Sequence, residues 1–163
     1  MDSLTPLTAL LGELLKSKKQ TIAVAESSTG GLISAALLAV PGASAYFVGG
    51  GVIYTRRSRD DLLGLSAEMI PGVRSSTEAY ARALAERVRE RLGTVWGLGE
   101  TGAAGPTGNR YGDAPGHSCI ALAGPVGRVI TLETGQSIRE ANMWAFTRAA
   151  LELLEAAVRA SDT

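Results

Sequence analysis

Short apolar runs typical of buried strands alternate along this chain with segments whose apolar residues recur at helical spacing. The spacing predicts helices over residues 5–17, 32–40, 75–91 and 138–159, and strands over residues 21–25, 45–54, 94–98, 117–123 and 128–134. A short helix ending near Gly64 completes the pattern. Such alternation is typical of an α/β domain, in which helices cover a sheet. Gly124-Pro125 joins the last two strands as a hairpin, so the sheet is predicted to be mixed.

Length and hydropathy predict a single domain. The chain has 163 residues, the usual size of one domain, and shows neither an internal repeat nor a linker, so we expect one domain over residues 1–163. No apolar run approaches the ~20 residues that span a bilayer. The first ten residues also lack the basic region of a signal peptide. We therefore expect a cytoplasmic protein that makes no membrane contact.

The charges argue against several classes of function. Lys and Arg number 16 and Asp and Glu number 16, so the net charge is zero, which argues against nucleic-acid binding. A single cysteine, Cys119, and a single histidine, His117, exclude an internal disulfide framework and a Cys/His zinc cluster. Only Lys16, Lys18 and Lys19 are lysines, and Arg cannot serve as a general base.

Two glycine-rich turns follow predicted strands. The first covers residues 27–31 and the second covers residues 101–106. Ligand crevices of α/β sheets lie beyond the carboxyl ends of strands, where backbone N–H groups and hydroxyls can bind phosphate. Either turn by itself is equally compatible with an ordinary turn. Neither turn matches a P-loop or a dinucleotide-binding motif.

The order of the motifs is more specific than either turn. It runs A-E-S-x-T-G-G, P-G-x-S-A-x-F, V-x-Y, L-G-L and T-G-x-A-G-P, with an Arg before the last helix. This order resembles the C-terminal domain of CinA proteins, the nicotinamide-nucleotide amidohydrolase family, over roughly residues 5–159. The resemblance implies a three-layer α/β/α sandwich with a mixed sheet, a homo-oligomer (dimer or larger) and no metal or cofactor. It further implies a stand-alone member, without the separate N-terminal domain of CinA.

The resemblance also implies an activity and a set of residues. Family members convert nicotinamide mononucleotide and water to nicotinate mononucleotide and ammonia, so a small nucleotide is the expected partner. The family nucleophile falls on Ser44, with Tyr54 assisting it. The substrate-binding positions fall on Ser27, Thr29, Gly30, Gly31, Thr101 and Gly102, and Arg139 is expected to bind the phosphate together with the first glycine-rich turn.

One departure affects the mechanism directly. The family base is a Lys five residues after the Tyr, and this position holds Arg59 here. A buried Lys can lose its proton near neutral pH, whereas Arg cannot. A neighbouring family Asn is Arg56, and the family loop after T-G-x-A-G-P is replaced over residues 106–116. Two hypotheses follow: an amidohydrolase with another base, or a non-catalytic or altered-specificity nucleotide-binding relative.

Three other residues are candidates for the missing base or for supporting roles. Glu100 lies just beyond the third predicted strand, at its carboxyl end, and could act as a base with a raised pKa. The preferred interpretation is an ion pair with Arg59 or Arg56, which would lower that pKa. Glu26 is expected to bond turn N–H groups or an Arg. His117 is either a base or, in the preferred interpretation, a structural residue. A nucleic-acid-binding competence factor is a third functional class, against which the zero net charge argues.

Overall fold

Five strands and five α-helices alternate over residues 2–162, the part of the chain that this computed structural model describes. The helices are α1 (Thr5–Lys18), α2 (Leu32–Leu38), α3 (Arg56–Leu62), α4 (Glu78–Leu92) and α5 (Arg139–Ala160). The strands are β1 (Ile22–Glu26), β2 (Phe47–Val52), β3 (Trp96–Ala103), β4 (His117–Ala123) and β5 (Arg128–Glu133). None of these helices combines the length and apolarity needed to cross a membrane.

The strands form one sheet in the order β2-β1-β3-β4-β5. β1 pairs in parallel with β2 and β3, whereas β4 is antiparallel to β3 and β5 is antiparallel to β4. The predicted hairpin and mixed sheet are therefore confirmed. Because β1, β2 and β3 run in the same direction, their carboxyl ends share one edge of the sheet, which we call the carboxyl edge. The opposite edge is the amino edge.

Side chains of different size alternate between the two faces of the sheet. Ile22, Val24, Trp96 and Leu98 point to one face and pack there with residues of α1, α2 and α5. The opposite face carries small residues, and α4 packs against them; they are Ala23, Ala25, Gly97, Gly99, Cys119 and Ala121. The result is the expected three-layer α/β/α sandwich.

Two glycines of β3 bring α4 very close to the sheet. A Cβ atom added to Gly97 would overlap the carbonyl oxygen of Ala85, and one added to Gly99 would overlap the carbonyl oxygen of Ala81. The backbones of α4 and β3 are therefore in direct contact. This contact fixes the beginning of α4 beside the carboxyl end of β3.

Two strand boundaries differ from the prediction. β3 was predicted to end at residue 98 but continues to Ala103, because β4 pairs with it from Gly97 to Ala103. Pairing thus overrides the loop-like composition of this segment. β2 was predicted over residues 45–54 and covers only Phe47–Val52, since Ala43–Ala45 forms a 3₁₀ turn.

The helix starts also differ from the prediction. A capping box at Ser75 and Glu78 was predicted for α4, but the N-cap is Thr77, whose Oγ1 accepts the N–H of Tyr80. Ser76 instead adopts a left-handed conformation with φ of 60°. α1 begins at Thr5 rather than being capped by it. A full capping box forms at α3, between Thr55 and Ser58.

Candidate functional site

A cavity of about 650 Å³ opens at the carboxyl edge of the sheet. Its wall combines the turn after β1 (Ser27), the segment after β2 (residues 53–59), the segment before α4 (residues 67–80), the end of β3 and the loop at residues 109–111. Four of its side chains are guanidinium groups, so we call it the arginine pocket; they belong to Arg56, Arg59, Arg74 and Arg110. Among the described residues of this wall, none is Asp or Glu. The pocket therefore favours an anionic ligand.

Glu26 organises the first glycine-rich turn from within the protein. This fully buried carboxylate accepts hydrogen bonds from the N–H groups of Gly31 (2.9 Å), Ile33 (3.1 Å) and Ser34 (2.9 Å), and from the Ser34 and Thr29 hydroxyls. The expectation that Glu26 bonds turn N–H groups is confirmed. These donors are consequently not directed at a ligand, and an anion-binding role for this turn is wrong in this geometry.

Glu100 occupies the other side of the same turn. Its side chain is fully buried and accepts from the N–H groups of Ser27 (3.1 Å) and Thr29 (2.9 Å) and from the Ser118 hydroxyl (3.0 Å), with a close contact to the Ser28 hydroxyl. Burial raises the pKa of Glu100, and the hydrogen bonds oppose the rise only partly. The predicted ion pair with Arg59 or Arg56 is wrong. A direct base role finds no geometric support either, since no part of Glu100 lies in the wall.

The Thr29 hydroxyl joins the two buried carboxyl groups. Its Oγ1 lies 2.7 Å from Glu26 Oε1 and 2.9 Å from Glu100 Oε1. One hydroxyl carries one proton and cannot donate fully to both carboxylates. Two carboxyl groups this close repel each other when both are ionised, so the pair is most stable when it holds one proton. We infer that Glu26 and Glu100 share one proton and together brace the turn.

Ser44 lies at the amino edge, away from the arginine pocket. It precedes β2, and a Cβ added to the nearby Gly42 would lie 3.7 Å from Lys16 Nζ at the end of α1. The six residues of β2 separate it from Tyr54, a span of roughly 20 Å. From the sequence, Ser44, Tyr54 and Thr101 were expected to form one site. Within one chain, Ser44 lies too far from the other two residues to join them. Its role as a nucleophile stays a prediction without support from this geometry.

Tyr54 and Arg139 do meet at the rim of the pocket. Arg139 lies at the beginning of α5, and its Nη2 donates to the Tyr54 hydroxyl at 3.1 Å while its Nη1 donates to the Gly105 carbonyl at 2.6 Å. Tyr54 belongs to the wall, as do Ser27, Thr101 and Gly102. Ser27, Tyr54 and Thr101 of the expected site are thus brought together, whereas Arg139 touches the wall only through Tyr54, and Thr29, Gly30 and Gly31 lie outside the wall.

Arg59, at the position where the resemblance implies a base, is a buried cation. Its Nη2 lies 2.9 Å from Asp60 Oδ1, and its side chain is only 6% exposed. Burial alone would lower the pKa of Arg59, but the Asp60 carboxylate and Tyr80 raise it above its ordinary value. Arg59 therefore remains protonated and cannot accept a proton from a nucleophile.

His117 holds a strained residue of the pocket wall. Its Nε2 donates to the Ser76 carbonyl at 2.8 Å, and its Nδ1 donates to Glu133. Ser76, in its left-handed conformation, donates its N–H to Thr101 Oγ1 at 2.9 Å. Because both ring nitrogens face acceptors, the surroundings of His117 favour the imidazolium and leave no nitrogen free to act as a base. His117 thus has the structural contacts that were expected, although its side chain is buried rather than half-exposed.

The protonation of His117 can be measured directly, because the chain contains one histidine. Burial alone would lower its pKa, but Glu133, the Ser76 carbonyl and Asp113 raise it above 6.5. A raised folded-state pKa contributes stability that is complete below pH 6.5 and is lost as the pH rises through the folded-state value.

We expect an NMR titration of the imidazole to give a midpoint above 6.5. Urea unfolding should show stability falling across the same pH range in the unmodified protein. The control His117→Gln should lack this pH dependence. A midpoint below that of a free histidine would contradict the assignment.

The loop at residues 106–116 supplies wall residues that received no role from the sequence. Asn109 Oδ1 accepts the N–H groups of Tyr111 and Asp113, and this turn presents Arg110 and Tyr111 to the pocket. Asp113 is anchored by Arg74 at 2.9 Å, which lowers the pKa of the carboxyl. The Asn-x-x-x-Asp pattern could have indicated a turn. The pairing with Arg74, 39 residues away in the chain, has no local signal.

Within residues 2–162, no three His, Cys, Asp or Glu side chains are grouped so that they could hold a metal ion. The structure thus combines a three-layer sandwich with a guanidinium-lined pocket at the carboxyl edge of its parallel strands. These two features define an α/β domain with a candidate small-ligand pocket. The sequence pattern of the CinA C-terminal domain matches residues 4–158. The chain therefore belongs to the CinA C-terminal domain family.

Known relatives agree with this membership. A CinA-like protein of Cyanothece sp. is 44% identical over 121 residues, which is 74% of this chain and 29% of that protein. A putative competence-damage inducible protein of Desulforamulus reducens is 45% identical over 118 residues, or 72% of this chain and 28% of that protein. The chain spans under a third of the length of these curated relatives.

Solved structures of relatives have the same fold. A CinA superfamily protein from Klebsiella pneumoniae superimposes with a TM-score of 0.88 at 22% identity, covering 95% of this chain and 97% of that one. A competence/damage inducible protein from Agrobacterium tumefaciens gives a TM-score of 0.84 at 28% identity, covering 94% of each chain. The five-stranded mixed sheet is therefore the fold of this superfamily.

Proposed function

We propose that the arginine pocket binds a pyridine mononucleotide, with nicotinamide mononucleotide as the first ligand to test. The observation that carries the proposal is the wall itself, which offers guanidinium and hydroxyl groups and no carboxylate among the described residues. Guanidinium groups bind phosphate through strong, bidentate hydrogen bonds. The pyridine nucleotide is suggested by family membership, since Ser27, Tyr54 and Thr101 occupy family motif positions and line the pocket.

Two groups give the ligand an orientation in this proposal. Arg139, held beside Tyr54 at the rim, supplies a cation for the phosphate. Thr101 Oγ1 already accepts the Ser76 N–H, so its own proton remains available to an acceptor of the ligand. The phosphate is then placed beside Tyr54 and Arg139, and the ring lies within the pocket.

Hydrolysis of nicotinamide mononucleotide to nicotinate mononucleotide and ammonia is the second candidate. Family membership and the Ser27 side chain in the wall favour it. Attack on a carboxamide also requires a base. The ionisable side chains of the described wall belong to Arg and Tyr, and Arg59 keeps its proton. We therefore place ligand binding before hydrolysis, as the function that the geometry supports best.

Calorimetric titration with nicotinamide mononucleotide tests the binding proposal. We expect saturable binding by the unmodified protein and about tenfold weaker binding by Arg139→Gln, which removes one charge-assisted phosphate contact. The matched control is Arg82→Gln, which removes an exposed arginine outside the pocket and should bind like the unmodified protein. Absence of binding at millimolar ligand would refute the proposal.

Ammonia release from the same ligand separates the two candidates. We expect none above the background of Ser44→Ala. Arg59→Lys alone should also stay inactive, because Asp60, 2.9 Å from the present guanidinium, would keep a lysine protonated. The double variant Arg59→Lys with Asp60→Ala removes the carboxylate that would keep the lysine protonated. Turnover by the unmodified protein that disappears in Ser27→Ala would instead establish hydrolysis.

A further inference from the structure

The arginine pocket contains both paired and unpaired guanidinium groups. Asp60 pairs with Arg59 and Asp113 pairs with Arg74, each at 2.9 Å. Within residues 2–162, no ion pair joins Arg56 or Arg110 to a carboxylate. These two guanidinium groups therefore leave an uncompensated positive charge in the wall.

The Tyr111 hydroxyl marks the place where these charges meet. Arg110 Nη2 donates to it at 2.8 Å, and Arg56 and Ser75 approach the same hydroxyl. The Arg74 guanidinium also lies over the Tyr111 ring, 4.6 Å from its centroid. The hydrogen bond from Arg110, with smaller contributions from Arg56 and Ser75, lowers the pKa of Tyr111 to about 8. This part of the wall stabilises a negatively charged oxygen.

A site that offers only hydrogen-bond donors can distinguish a ligand carboxylate from a ligand carboxamide. A carboxylate accepts hydrogen bonds at both oxygens, and a guanidinium matches it with two parallel donors. A carboxamide has one accepting oxygen and an NH₂ group that needs an acceptor. Opposite a guanidinium, that NH₂ group faces other donors and remains unpaired. Because Arg56 and Arg110 are exposed, the preference for a carboxylate comes mainly from its charge and its bidentate geometry.

We propose that Arg56, Arg110 and Tyr111 form a carboxylate-recognising subsite of the arginine pocket, which selects the acid form of the pyridine mononucleotide, nicotinate mononucleotide, over the amide form. The inference rests on the proposed function, which supplies the pyridine nucleotide and its phosphate contact at Arg139. The ligand then carries an anion at each end, and a separate arginine group binds each one. The carboxylate lies at the Arg56–Arg110 side of the wall.

The two mononucleotides are an almost isosteric pair, so calorimetry with both tests the subsite. We expect nicotinate mononucleotide to bind about tenfold tighter than nicotinamide mononucleotide, the effect of one charge-assisted bidentate contact. Arg110→Gln should remove this preference, because a glutamine amide can also accept from the NH₂ group of the carboxamide. Arg139→Gln should weaken both ligands equally. Arg82→Gln is the matched control and should retain the preference.

The absorbance of the Tyr111 phenolate gives a second measurement, which reports on the subsite itself. An anion placed beside Tyr111 raises the pKa of its phenol, so nicotinate mononucleotide should shift the phenolate absorbance of the protein to higher pH, and nicotinamide mononucleotide should shift it less. Equal binding of the two ligands, unchanged by Arg110→Gln, would overturn the subsite and leave the proposed function standing. Binding of neither ligand would overturn the proposed function itself.

Discussion

Replacing Glu26 by alanine is expected to lower the free energy of unfolding by about 3–5 kcal/mol. The carboxylate accepts the N–H groups of Gly31, Ile33 and Ser34 and two hydroxyls, all from the turn and first residues of α2. Alanine leaves these donors without acceptors in a largely buried place, at about 1–3 kcal/mol each before water enters the cavity. Urea unfolding of both proteins measures the loss. A typical domain has only about 5–15 kcal/mol in total.

Glu100→Gln is the matched control for Glu26→Ala. Since Glu26 and Glu100 are inferred to share one proton, a neutral amide of the same size at position 100 retains an acceptor oxygen for the turn N–H groups and avoids repulsion from Glu26. We expect this substitution to cost less than about 1.5 kcal/mol. A loss as large as that of Glu26→Ala would show that Glu100 is ionised and would contradict the shared proton.

Gly99→Ala is the second substitution with a large expected effect. The new Cβ atom would overlap the Ala81 carbonyl oxygen and lie 2.7 Å from the Ala85 backbone nitrogen. Because both contacts are with backbone, α4 must move away from β3, which we expect to cost about 3 kcal/mol. The same movement displaces Tyr80, which belongs to the pocket wall, so ligand affinity should fall as well.

The matched control for Gly99→Ala is Gly127→Ala. Its added Cβ would meet only the Leu122 carbonyl oxygen, at 3.9 Å. This change should alter stability by no more than about 0.5 kcal/mol. Urea midpoints and calorimetric titrations of the two variants provide the comparison. If Gly99→Ala unfolds at the same urea concentration as the control, the close packing of α4 on β3 is wrong.

The layer architecture could be predicted because periodicity reports which residues face a core. Runs such as residues 21–25 and 117–123 are apolar on both faces, as strands covered by helices must be. The end of β3 could not be predicted, since Gly-Glu-Thr-Gly has the composition of a loop. Its strand conformation comes from pairing with β4, which local sequence does not encode.

The site was predictable only in part, and strand direction explains which expected residues meet. Ser27, Tyr54 and Thr101 follow parallel strands and therefore meet at the carboxyl edge. Ser44 precedes β2, so the same rule already places it at the amino edge. Nothing local shows that Glu100 faces turn donors rather than an arginine. The contribution of Arg110 depends on a loop that a distant ion pair holds in place.

The arginine pocket takes its wall from residues spread between Ser27 and Tyr111, which belong to β3 and to three separate connections of the sheet. No short piece of the chain can build such a wall, so the ligand recognises only the fully folded domain. A ligand present at a hundred times its dissociation constant would then add about 2.7 kcal/mol to the stability of the whole domain. Unfolded protein is what cellular proteases remove, and a gain of this size changes abundance several-fold. The ligand supply would thereby set how long each molecule survives, which makes melting temperature a direct screen for candidate ligands.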